Sequence, residues 1–497
     1  MLTCEKWGTL ELEFNGKQAG NPFTDYSINA EFKGFNETVT VRGFYDGNGV
    51  YKVRFMPSFT GKYTYKVYGS FSDTEYTGEF EATAPSKNNH GPVRVHGYHF
   101  FYDDGEPFYE AGTTCYVWVH QKDELVKKTL ETLSRGYFNK IRFCVFPKHY
   151  LYNLHEPQTY PYVGTPCDME GFDPESLKGA CKVREGNDWD FTRFNPEHFR
   201  RMERAIQALM DMGIEADIIL LHPYDRWGFS MQSVESFKFY LEYVAARFAA
   251  YRNVWWSMAN EYDLLTNLSI ADWEALALTV ADNDPYHHPR SIHNCREFYD
   301  HSRGWVTHSS VQRKDVEMTD QWRIRYSKPL VNDEMCYEGN INRGWGNITG
   351  QELVRRFWET SMRGGYAGHG ETYEHPEGIL WWSHGGELHG SAPERIRFLR
   401  QILSETPGKK GLKFEKHGND EAVAVPEAYD VPKYYIFYYG ACQSASRKFH
   451  LDDETTFKVE IIDTWNMTIE DAGEHKGLFN ISLPGRQYMA IRLKEVK

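Results

Sequence analysis

An apolar stretch near the middle of the chain ends abruptly in residues that could carry out acid–base chemistry. Residues 253–259 contain no proline or glycine and are typical of a buried strand, and Asn260 and Glu261 follow directly. In a barrel of parallel strands such side chains would project from the carboxyl end, where the chemistry takes place. The carboxyl group can donate or accept a proton, and the amide can hold a hydroxyl group. The alternative is a structural glutamate that caps the next helix or pairs with an arginine.

A second apolar run, within residues 329–339, also ends in carboxylates. Glu334 directly follows the run, Glu338 lies four residues later, and Asp333 alternates to the opposite side of the strand, where a structural role is expected. Carboxyl groups on two strand ends of one barrel suit the cleavage of a glycosidic bond, which needs an acid–base group and a nucleophile. Glu334 is the favoured partner of Glu261. Glu338 stays open as the alternative nucleophile and is otherwise expected to bind sugar.

Asn-Glu at the end of a fourth strand and Glu at the end of a seventh resemble the pattern of clan A of the glycoside hydrolases, the 4/7 superfamily. Two longer stretches, KPLVNDEMCYEG at residues 328–339 and GGYAGHGETYEHPEGILWWSHGGELHG at residues 364–390, resemble more narrowly its apiosidase-like branch, in which a β-sandwich precedes the barrel. The resemblance covers most of the chain, strongly in residues 93–405 and weakly in both flanks. It implies a glycosidase acting on a carbohydrate or glycoside.

The resemblance also implies roles for individual residues. Glu261 is assigned as general acid and base, and its pKa is expected to be raised by partial burial and by the second carboxylate. Asn260 is expected to bind the sugar 2-hydroxyl, and Arg142, at the end of the second strand, to keep the nucleophile ionised. The further candidates for substrate binding are His222, His308, Glu338, Trp118, Trp382 and His369. Each of these histidines is equally compatible with a structural role.

Composition agrees with a protein that handles sugars. The chain has 497 residues, enough for roughly two to four structural units, and its aromatic content of 16% exceeds what a core needs. Flat aromatic rings serve as platforms for sugars. The formal net charge of -14 argues against nucleic acid and against an anionic membrane surface as partners. Aromatic β-domains are consistent with a homo-oligomer of undetermined order.

Location and cofactors are predicted from patterns that the sequence lacks. No signal-peptide pattern stands near the N-terminus and no apolar run approaches the length of a membrane span, so a cytoplasmic location is expected. The eight cysteines are scattered without a C-x-x-C pair and are interpreted as reduced and structural. Metal catalysis is disfavoured, because there is no H-E-x-x-H motif and no H-x-H after a first strand. No metal and no cofactor are therefore expected.

The predicted fold class is α/β, a (β/α)8 TIM barrel flanked by an N-terminal β-sandwich and a small C-terminal β-domain. Residues 1–88 show alternating apolar and polar runs separated by Asn-Gly and Asp-Gly turns, which predicts an Ig-like sandwich. That domain is interpreted as a packing and oligomerisation domain, with a carbohydrate-binding module as the alternative. Strand and helix patterns alternate across residues 93–405, and strand patterns return in residues 412–497.

The later barrel strands and one long segment have less regular patterns. The sixth strand is predicted at residues 305–309, and the eighth at either 366–370 or 379–382. Trp382, or else Trp381, is the candidate platform beneath the cleaved sugar, since neighbouring strand residues face opposite sides. The irregular segment 147–194 follows the second strand and is predicted to wall the pocket, which favours removal of a terminal sugar.

Together these patterns predict a retaining exo-glycosidase that forms a covalent intermediate between two carboxyl groups roughly 5–5.5 Å apart. Two alternatives are kept: a non-catalytic carbohydrate-binding protein on the same scaffold, and an inverting hydrolase, in which a wider gap holds a water molecule. The resemblance raises β-apiosides and other plant pentosides as substrates, and the sequence does not determine the sugar.

Overall fold

The N-terminal residues form a β-sandwich whose apolar faces pack on each other. The structure is a computed structural model that describes residues 2–170, 172–173, 182–416, 421–428 and 430–496. Its first eight strands and first helix are β1 (Leu2–Glu5), β2 (Leu10–Asn15), α1 (Pro22–Asp25), β3 (Asn29–Lys33), β4 (Thr38–Arg42), β5 (Phe44–Gly47), β6 (Val50–Phe55), β7 (Gly61–Tyr68) and β8 (Tyr76–Thr83). One sheet has the order β1-β8-β7-β3-β4 and the other β2-β6-β5. Phe32 of β3 stacks on Phe55 of β6 with ring centroids 4.2 Å apart, so the core lies between the sheets.

A hairpin of β9 (Val93–His96) and β10 (His99–Tyr102) leads from the sandwich to the barrel. Phe100 of this hairpin packs on Trp255, with ring centroids 4.9 Å apart, and belongs to one buried cluster with Val331 and Tyr366. Those three partners stand near the amino ends of barrel strands. The hairpin therefore covers the end of the barrel opposite to the strand ends that carry Glu261 and Glu334.

Eight parallel strands form the barrel in the described part of the chain, which confirms the predicted fold class. They are β11 (Ala111–Thr114), β12 (Lys140–Cys144), β15 (Glu215–Leu221), β16 (Val254–Ala259), β17 (Arg290–Ser291), β18 (Ser309–Gln312), β19 (Leu330–Glu334) and β21 (Tyr366–His369). Their order around the sheet is β17-β16-β15-β12-β11-β21-β19-β18. The seam between β17 and β18 is bridged by Thr307, whose backbone N–H donates to the Arg290 carbonyl at 2.9 Å. Two small pairs stand at the carboxyl face: β13 (Tyr162–Thr165) with β14 (Asp188–Phe194), and β20 (Glu338–Gly339) with β22 (Glu371–Thr372).

Helices follow the barrel strands in the described part of the chain. They are α2 (Asp123–Leu133), α3 (Pro196–Asp211), α4 (Val234–Phe248), α5 (Ile270–Asn283), α6 (Thr319–Tyr326), α7 (Gly350–Met362), α8 (Trp381–His384) and α9 (Ala392–Ser404). Helix α3 shows how the sequence sets a boundary: the Asn195 side chain accepts from the Glu197 N–H at 3.2 Å, and Pro196 occupies the first turn. Among the described helices, none combines the length and the apolar composition that crossing a bilayer requires.

The structure corrects the sequence prediction at two barrel strands. The sixth strand begins at Ser309, so its prediction at residues 305–309 is wrong: Trp305 and Val306 supply apolar contacts in the loop, and the Trp305 indole donates to Glu274 of α5. The eighth strand is the first of the two candidates, Tyr366–His369, whereas Trp381 begins the short helix α8. Residues 171 and 174–181 of segment 147–194, Cys181 among them, lie outside the described residues. Free thiols are found at Cys4, Cys115, Cys144, Cys167, Cys295 and Cys336.

The C-terminal β-domain has its own apolar core. Its strands are β23 (Leu412–Glu415), β24 (Ala422–Pro426), β25 (Tyr434–Tyr438), β26 (Ser446–His450), β27 (Phe457–Asp463), β28 (Thr468–His475), β29 (Leu478–Ser482) and β30 (Met489–Glu495). Six of them form a sheet of order β23-β24-β25-β30-β27-β28, and β26 pairs with β29. Tyr438 stacks on Trp358 of α7 with ring centroids 5.4 Å apart, which joins this sheet to the barrel.

A buried charge cluster holds the N-terminal sandwich against the barrel. Glu203 of α3 accepts from Arg54 of β6 at 2.6 and 3.0 Å and from Arg247 of α4 at 2.6 Å. Arg247 also donates to Asp46 at 2.8 Å. Burial disfavours the charged carboxyl group, but the attraction of Arg247 and Arg54 outweighs burial and lowers the pKa of Glu203 to about 2. The interface therefore depends on one ionised glutamate between two arginines.

Replacing Glu203 with glutamine is expected to reduce the free energy of unfolding by about 3–5 kcal/mol, because two buried guanidinium groups lose their counter-charge. The depressed pKa of Glu203 stabilises the fold above the ordinary glutamate pKa, and this contribution is lost as the pH falls towards 2. Urea unfolding at pH 7 and at pH 3.5 measures both effects, and the variant should lose less stability on acidification. Glu197→Gln, on the same helix but in exposed pairs with Arg200 and Arg204, is the matched control and should cost less than about 1 kcal/mol. Equal losses in both variants would contradict the role of the cluster.

Candidate active site

The mouth of the barrel gathers both predicted carboxyl groups in one buried site. Asn260 and Glu261 follow β16, and Glu334 is the last residue of β19. Asn260 remains hydrogen-bonded to the neighbouring strand, since its N–H donates to the Leu221 carbonyl at 3.0 Å. Glu261 and Glu334 are only 6% and 3% exposed, respectively, and both lie at the carboxyl ends of the strands. The two acids thus share one face of the barrel and one nearly enclosed site.

Glu261 occupies an unusual backbone conformation and a polar niche. Its φ of 55° lies in the left-handed region, which costs a non-glycine residue about 1–3 kcal/mol and is typical of functional sites. The Tyr224 hydroxyl donates to its carboxylate, and the Gln312 amide, oriented to donate, lies 3.3 Å from Oε1. Burial and the nearby Glu334 carboxylate raise the pKa of Glu261 to about 7. This carboxyl group can therefore hold a proton near neutral pH.

Glu334 stands beside cationic and hydroxyl groups instead. The Tyr116 hydroxyl donates to Glu334 Oε1 and lies 3.1 Å from Asn260 Oδ1. Arg142 Nη1 is 3.7 Å and His293 Nε2 is 3.9 Å from Glu334 Oε1. Glu334 thus has a guanidinium group and a hydroxyl donor beside its Oε1 atom, in the same site as Glu261.

Beneath Glu334, the interior of the barrel is filled by a buried ionic network. Lys140 Nζ lies 3.2 Å from Glu110, 3.3 Å from Asp217 and 3.0 Å from Asp333. Arg142 Nε lies 3.5 Å from Asp217 and 3.8 Å from Asp333. Burial opposes the charged form of Lys140, but these carboxylates outweigh it and raise the pKa of its ammonium group. The network therefore lies on the Nε side of Arg142, whereas Arg142 Nη1 lies next to Glu334.

An aromatic wall encloses the site on one side. Trp382 is the only one of the predicted tryptophans that reaches it: its ring lies 5.6 Å from Tyr116 and Tyr337 and 5.5 Å from Tyr150 and Tyr152 between centroids. Trp381, its neighbour, is buried and donates to Thr113 inside the fold. Burial and the Glu334 carboxylate raise the pKa of Tyr337, so its hydroxyl stays protonated.

Two of the predicted binding histidines and Glu338 make polar contacts with groups outside the pair of glutamates. Both ring nitrogens of His222 contact backbone groups, the Phe146 carbonyl at 3.1 Å and the Tyr224 N–H at 3.2 Å. His369 contacts the Thr113 hydroxyl at 2.9 Å. Glu338 accepts from the N–H groups of Ser391 and Ala392 at 2.7 and 2.9 Å, as a cap of α9. These contacts favour structural roles.

The remaining two candidates are also held within the fold. His308 packs on Trp255, with ring centroids 5.0 Å apart, near the amino end of β16 and so far down the barrel. Trp118 is fully buried in the main core and packs on Phe143 with ring centroids 5.7 Å apart. Arg142, Asn260 and Trp382 are therefore the predicted binding residues that the structure brings beside the two glutamates.

Several residues at the site were not selected from the sequence. They are Tyr116, Lys148, His293, Gln312 and Tyr337. Gln312 ends a barrel strand, and Tyr116, His293 and Tyr337 each follow one by two or three residues, so the rule that located Glu261 could have found them. Lys148 lies four residues after β12, in a loop whose path the sequence does not predict.

A parallel (β/α)8 barrel with two carboxyl groups at its mouth suits the chemistry of glycoside hydrolases. The profile of the apiosidase-like catalytic domain matches residues 95–409. The chain belongs to the apiosidase-like family. Residues 3–70 match a domain of unknown function, DUF5060, and residues 424–494 match another, DUF5605. None of the curated proteins matches the chain.

Solved structures agree with this assignment. A crystal structure from Bacteroides vulgatus, assigned to the glycoside hydrolases, is 34% identical to this chain with a TM-score of 0.90, and the match covers 100% of both chains. A family 5 glycoside hydrolase from the same organism is 14% identical with a TM-score of 0.61, covering 82% of this chain and 93% of that chain. At that lower identity the likeness shows the fold alone.

Proposed function

We propose that the protein is a retaining, exo-acting glycosidase of the 4/7 type, with Glu334 as nucleophile and Glu261 as acid and base. Glu334 would attack the anomeric carbon while the Glu261 carboxyl group transfers its proton to the departing glycosidic oxygen. In the second step Glu261, now ionised, would take a proton from water, and the water oxygen would displace Glu334 from the anomeric carbon. The enzyme would regain its starting protonation state.

The proposal rests above all on the unequal surroundings of the two carboxyl groups. Burial and Glu334 raise the pKa of Glu261 to about 7, as a proton donor requires. Arg142 Nη1 lies 3.7 Å from Glu334 Oε1 and the Tyr116 hydroxyl donates to the same oxygen, so a positive charge and a hydrogen-bond donor stand beside the proposed nucleophile. Glu338, the alternative nucleophile, has its carboxylate occupied by the start of α9. The roles of acid and nucleophile therefore fall to Glu261 and Glu334.

Asn260 supports the proposal through an unused donor. Its Oδ1 lies 3.1 Å from the Tyr116 hydroxyl, whereas its Nδ2 is fully buried and has no hydrogen-bond partner among the described residues. An unpaired buried donor costs about 1–3 kcal/mol, and a sugar hydroxyl would satisfy it. We assign this hydroxyl to the 2-position, where a contact of this kind strengthens in the transition state.

Exo action is supported by the enclosure of the site. Both glutamates are almost fully buried, and the aromatic wall of Trp382 and Tyr150 stands across the mouth. Such a site admits a terminal sugar more easily than the middle of a polymer. Family membership makes β-apiosides and related pentosides the first substrates to examine.

The stereochemical outcome tests the retaining mechanism. A panel of aryl β-glycosides, led by pentosides, identifies a substrate, and proton NMR during the first minutes of hydrolysis records which anomer of the sugar appears. We expect the β-anomer first, with the α-anomer growing in only through mutarotation. Initial release of the α-anomer would show inversion and end the assignment of Glu334 as nucleophile. Tight sugar binding with no hydrolysis across the panel would favour the non-catalytic alternative.

A further inference from the structure

Lys148 places a positive charge inside the aromatic wall of the site. It follows β12 by four residues, and its side chain is only 2% exposed. Its Nζ lies 3.3 Å from the ring centroid of Tyr116, 4.2 Å from that of Tyr224 and 4.7 Å from that of Tyr150. Two of these rings carry the hydroxyl groups that donate to Glu334 and Glu261. The ammonium group therefore sits between the hydroxyl partners of both acids.

The ammonium group of Lys148 has no hydrogen-bond acceptor among the described residues. Its Nζ forms no hydrogen bond or ion pair with them, and its polar contacts are with the faces of aromatic rings. Cation–π attraction offsets only part of the cost of removing an ammonium group from water. Burial accordingly lowers the pKa of Lys148. A buried donor of this kind calls for an acceptor beyond those that the described part of the chain supplies.

We propose that Lys148 donates a hydrogen bond to a hydroxyl group of a neutral sugar bound at the cleavage site and thereby selects which sugar is cleaved. The assignment rests on the proposed function, because it takes the space beside Glu261 and Glu334 to be the sugar site. It adds a specificity-determining residue to the acid, the nucleophile and Asn260.

The charges around Lys148 favour a hydroxyl group over a carboxylate as its acceptor. Arg142 is already balanced by Asp217 and Asp333, and Glu261 holds a proton below about pH 7. Lys148 then faces the single negative charge of Glu334. A sugar carboxylate would add a second negative charge next to the nucleophile, whereas a hydroxyl group accepts from the ammonium without changing this balance.

A set of glycosides that each lack one hydroxyl group tests the contact. Lys148→Met keeps a long apolar side chain among the rings of Tyr116, Tyr150 and Tyr224 and removes the hydrogen-bond donor. We expect kcat/KM for the parent glycoside to fall roughly 10- to 100-fold, the cost of a hydrogen bond to a charged group. For the one deoxy sugar that lacks the contacted hydroxyl, the same substitution should change kcat/KM by less than about threefold. Lys128→Met, on the exposed face of α2, is the matched control and should leave every value unchanged.

The outcomes separate substrate contact from mere packing. The proposal would be overturned if Lys148→Met lowered kcat/KM equally for every deoxy sugar, or did not lower it for the parent glycoside. Either result would show that Lys148 only packs against the surrounding rings. Faster cleavage of uronides than of the matching neutral glycosides by the wild-type enzyme would overturn the choice of a neutral sugar. If Glu334→Gln remains active, the proposed catalytic roles are wrong. The comparison of deoxy sugars still measures whether Lys148 contacts a sugar hydroxyl group, because it does not depend on which residue is the nucleophile. If no glycoside is cleaved, calorimetry with the free monosaccharides makes the same comparison, and absence of any Lys148-dependent binding contradicts the proposal.

A pH profile supplies a second readout that packing alone would not move. The charged and titratable groups near Glu261 include Glu334 from β19, Lys148 from the loop after β12, Tyr224 from the loop after β15 and Cys295 from the loop after β17. Tyr116, after β11, and Tyr337, after β19, also interact with it. Lys148 is the cation among them and opposes the rise in the pKa of Glu261. Its replacement by methionine should therefore shift the basic limb of kcat/KM to higher pH.

Discussion

Glu334→Gln is expected to abolish glycoside hydrolysis, lowering kcat roughly 10⁴-fold or more whatever the leaving group. An amide in the same place cannot form the glycosyl ester, so the first step is lost even when departure of the aglycone needs no acid. The measurement is kcat for aryl glycosides with good and poor leaving groups. A 2-fluoro glycoside, which forms the ester quickly and releases it slowly, should label the wild-type protein on the peptide that contains Glu334 and leave the variant unlabelled.

Glu338→Gln is the matched control, four residues along the same segment. Its carboxylate caps α9 through Ser391 and Ala392, so we expect a loss of about 1–3 kcal/mol in the free energy of unfolding. Activity per folded molecule should stay within about threefold of the wild type. Abolished activity in Glu338→Gln, with activity retained in Glu334→Gln, would transfer the role of nucleophile to Glu338.

The architecture could be predicted because each barrel strand carries local information. Strands such as β15 and β16 are buried on both faces and consist mostly of apolar residues, and helices such as α3 are marked by a cap and an apolar stripe. The sixth strand was misplaced because residues 305–306 are as apolar as a strand. Their burial comes from α5 and the loop around them, and a local pattern does not distinguish that from burial in a sheet.

From the sequence, only the site residues that lie at the carboxyl ends of barrel strands could be predicted. The positions of Glu261 and Glu334 follow from where β16 and β19 stop, because the carboxyl ends of parallel strands meet at one mouth. Lys148 is surrounded by the rings of Tyr116, Tyr150 and Tyr224, which come together from separate positions in the chain. Likewise, the carboxylate of Glu338 is held by the start of α9, more than fifty residues later in the chain. Such convergence is a property of tertiary packing, and no local pattern encodes it.

Glu261→Gln is expected to slow the hydrolysis of glycosides with poor leaving groups roughly 10²- to 10⁴-fold, the usual contribution of general acid catalysis. Aryl glycosides whose leaving groups need no proton should still react with Glu334, so a rapid burst of aglycone would precede slow turnover. Added azide, which needs no general base to attack the intermediate, should restore turnover and yield a β-glycosyl azide. Absence of the burst and of azide rescue would contradict the assignment of Glu261.

The pH dependence of kcat/KM provides the electrostatic counterpart of this prediction. Glu261 must carry a proton to act as the acid, and burial with the Glu334 charge raises its pKa to about 7. Wild-type activity should therefore fall as the pH rises above about 7, and this basic limb should vanish in Glu261→Gln. Glu371→Gln is the control, because burial also raises the pKa of Glu371, to about 8, but its carboxylate accepts from the His389 and Gly390 N–H groups. A limb that disappears with Glu371 and persists without Glu261 would mean that the proton donor is not at the end of β16.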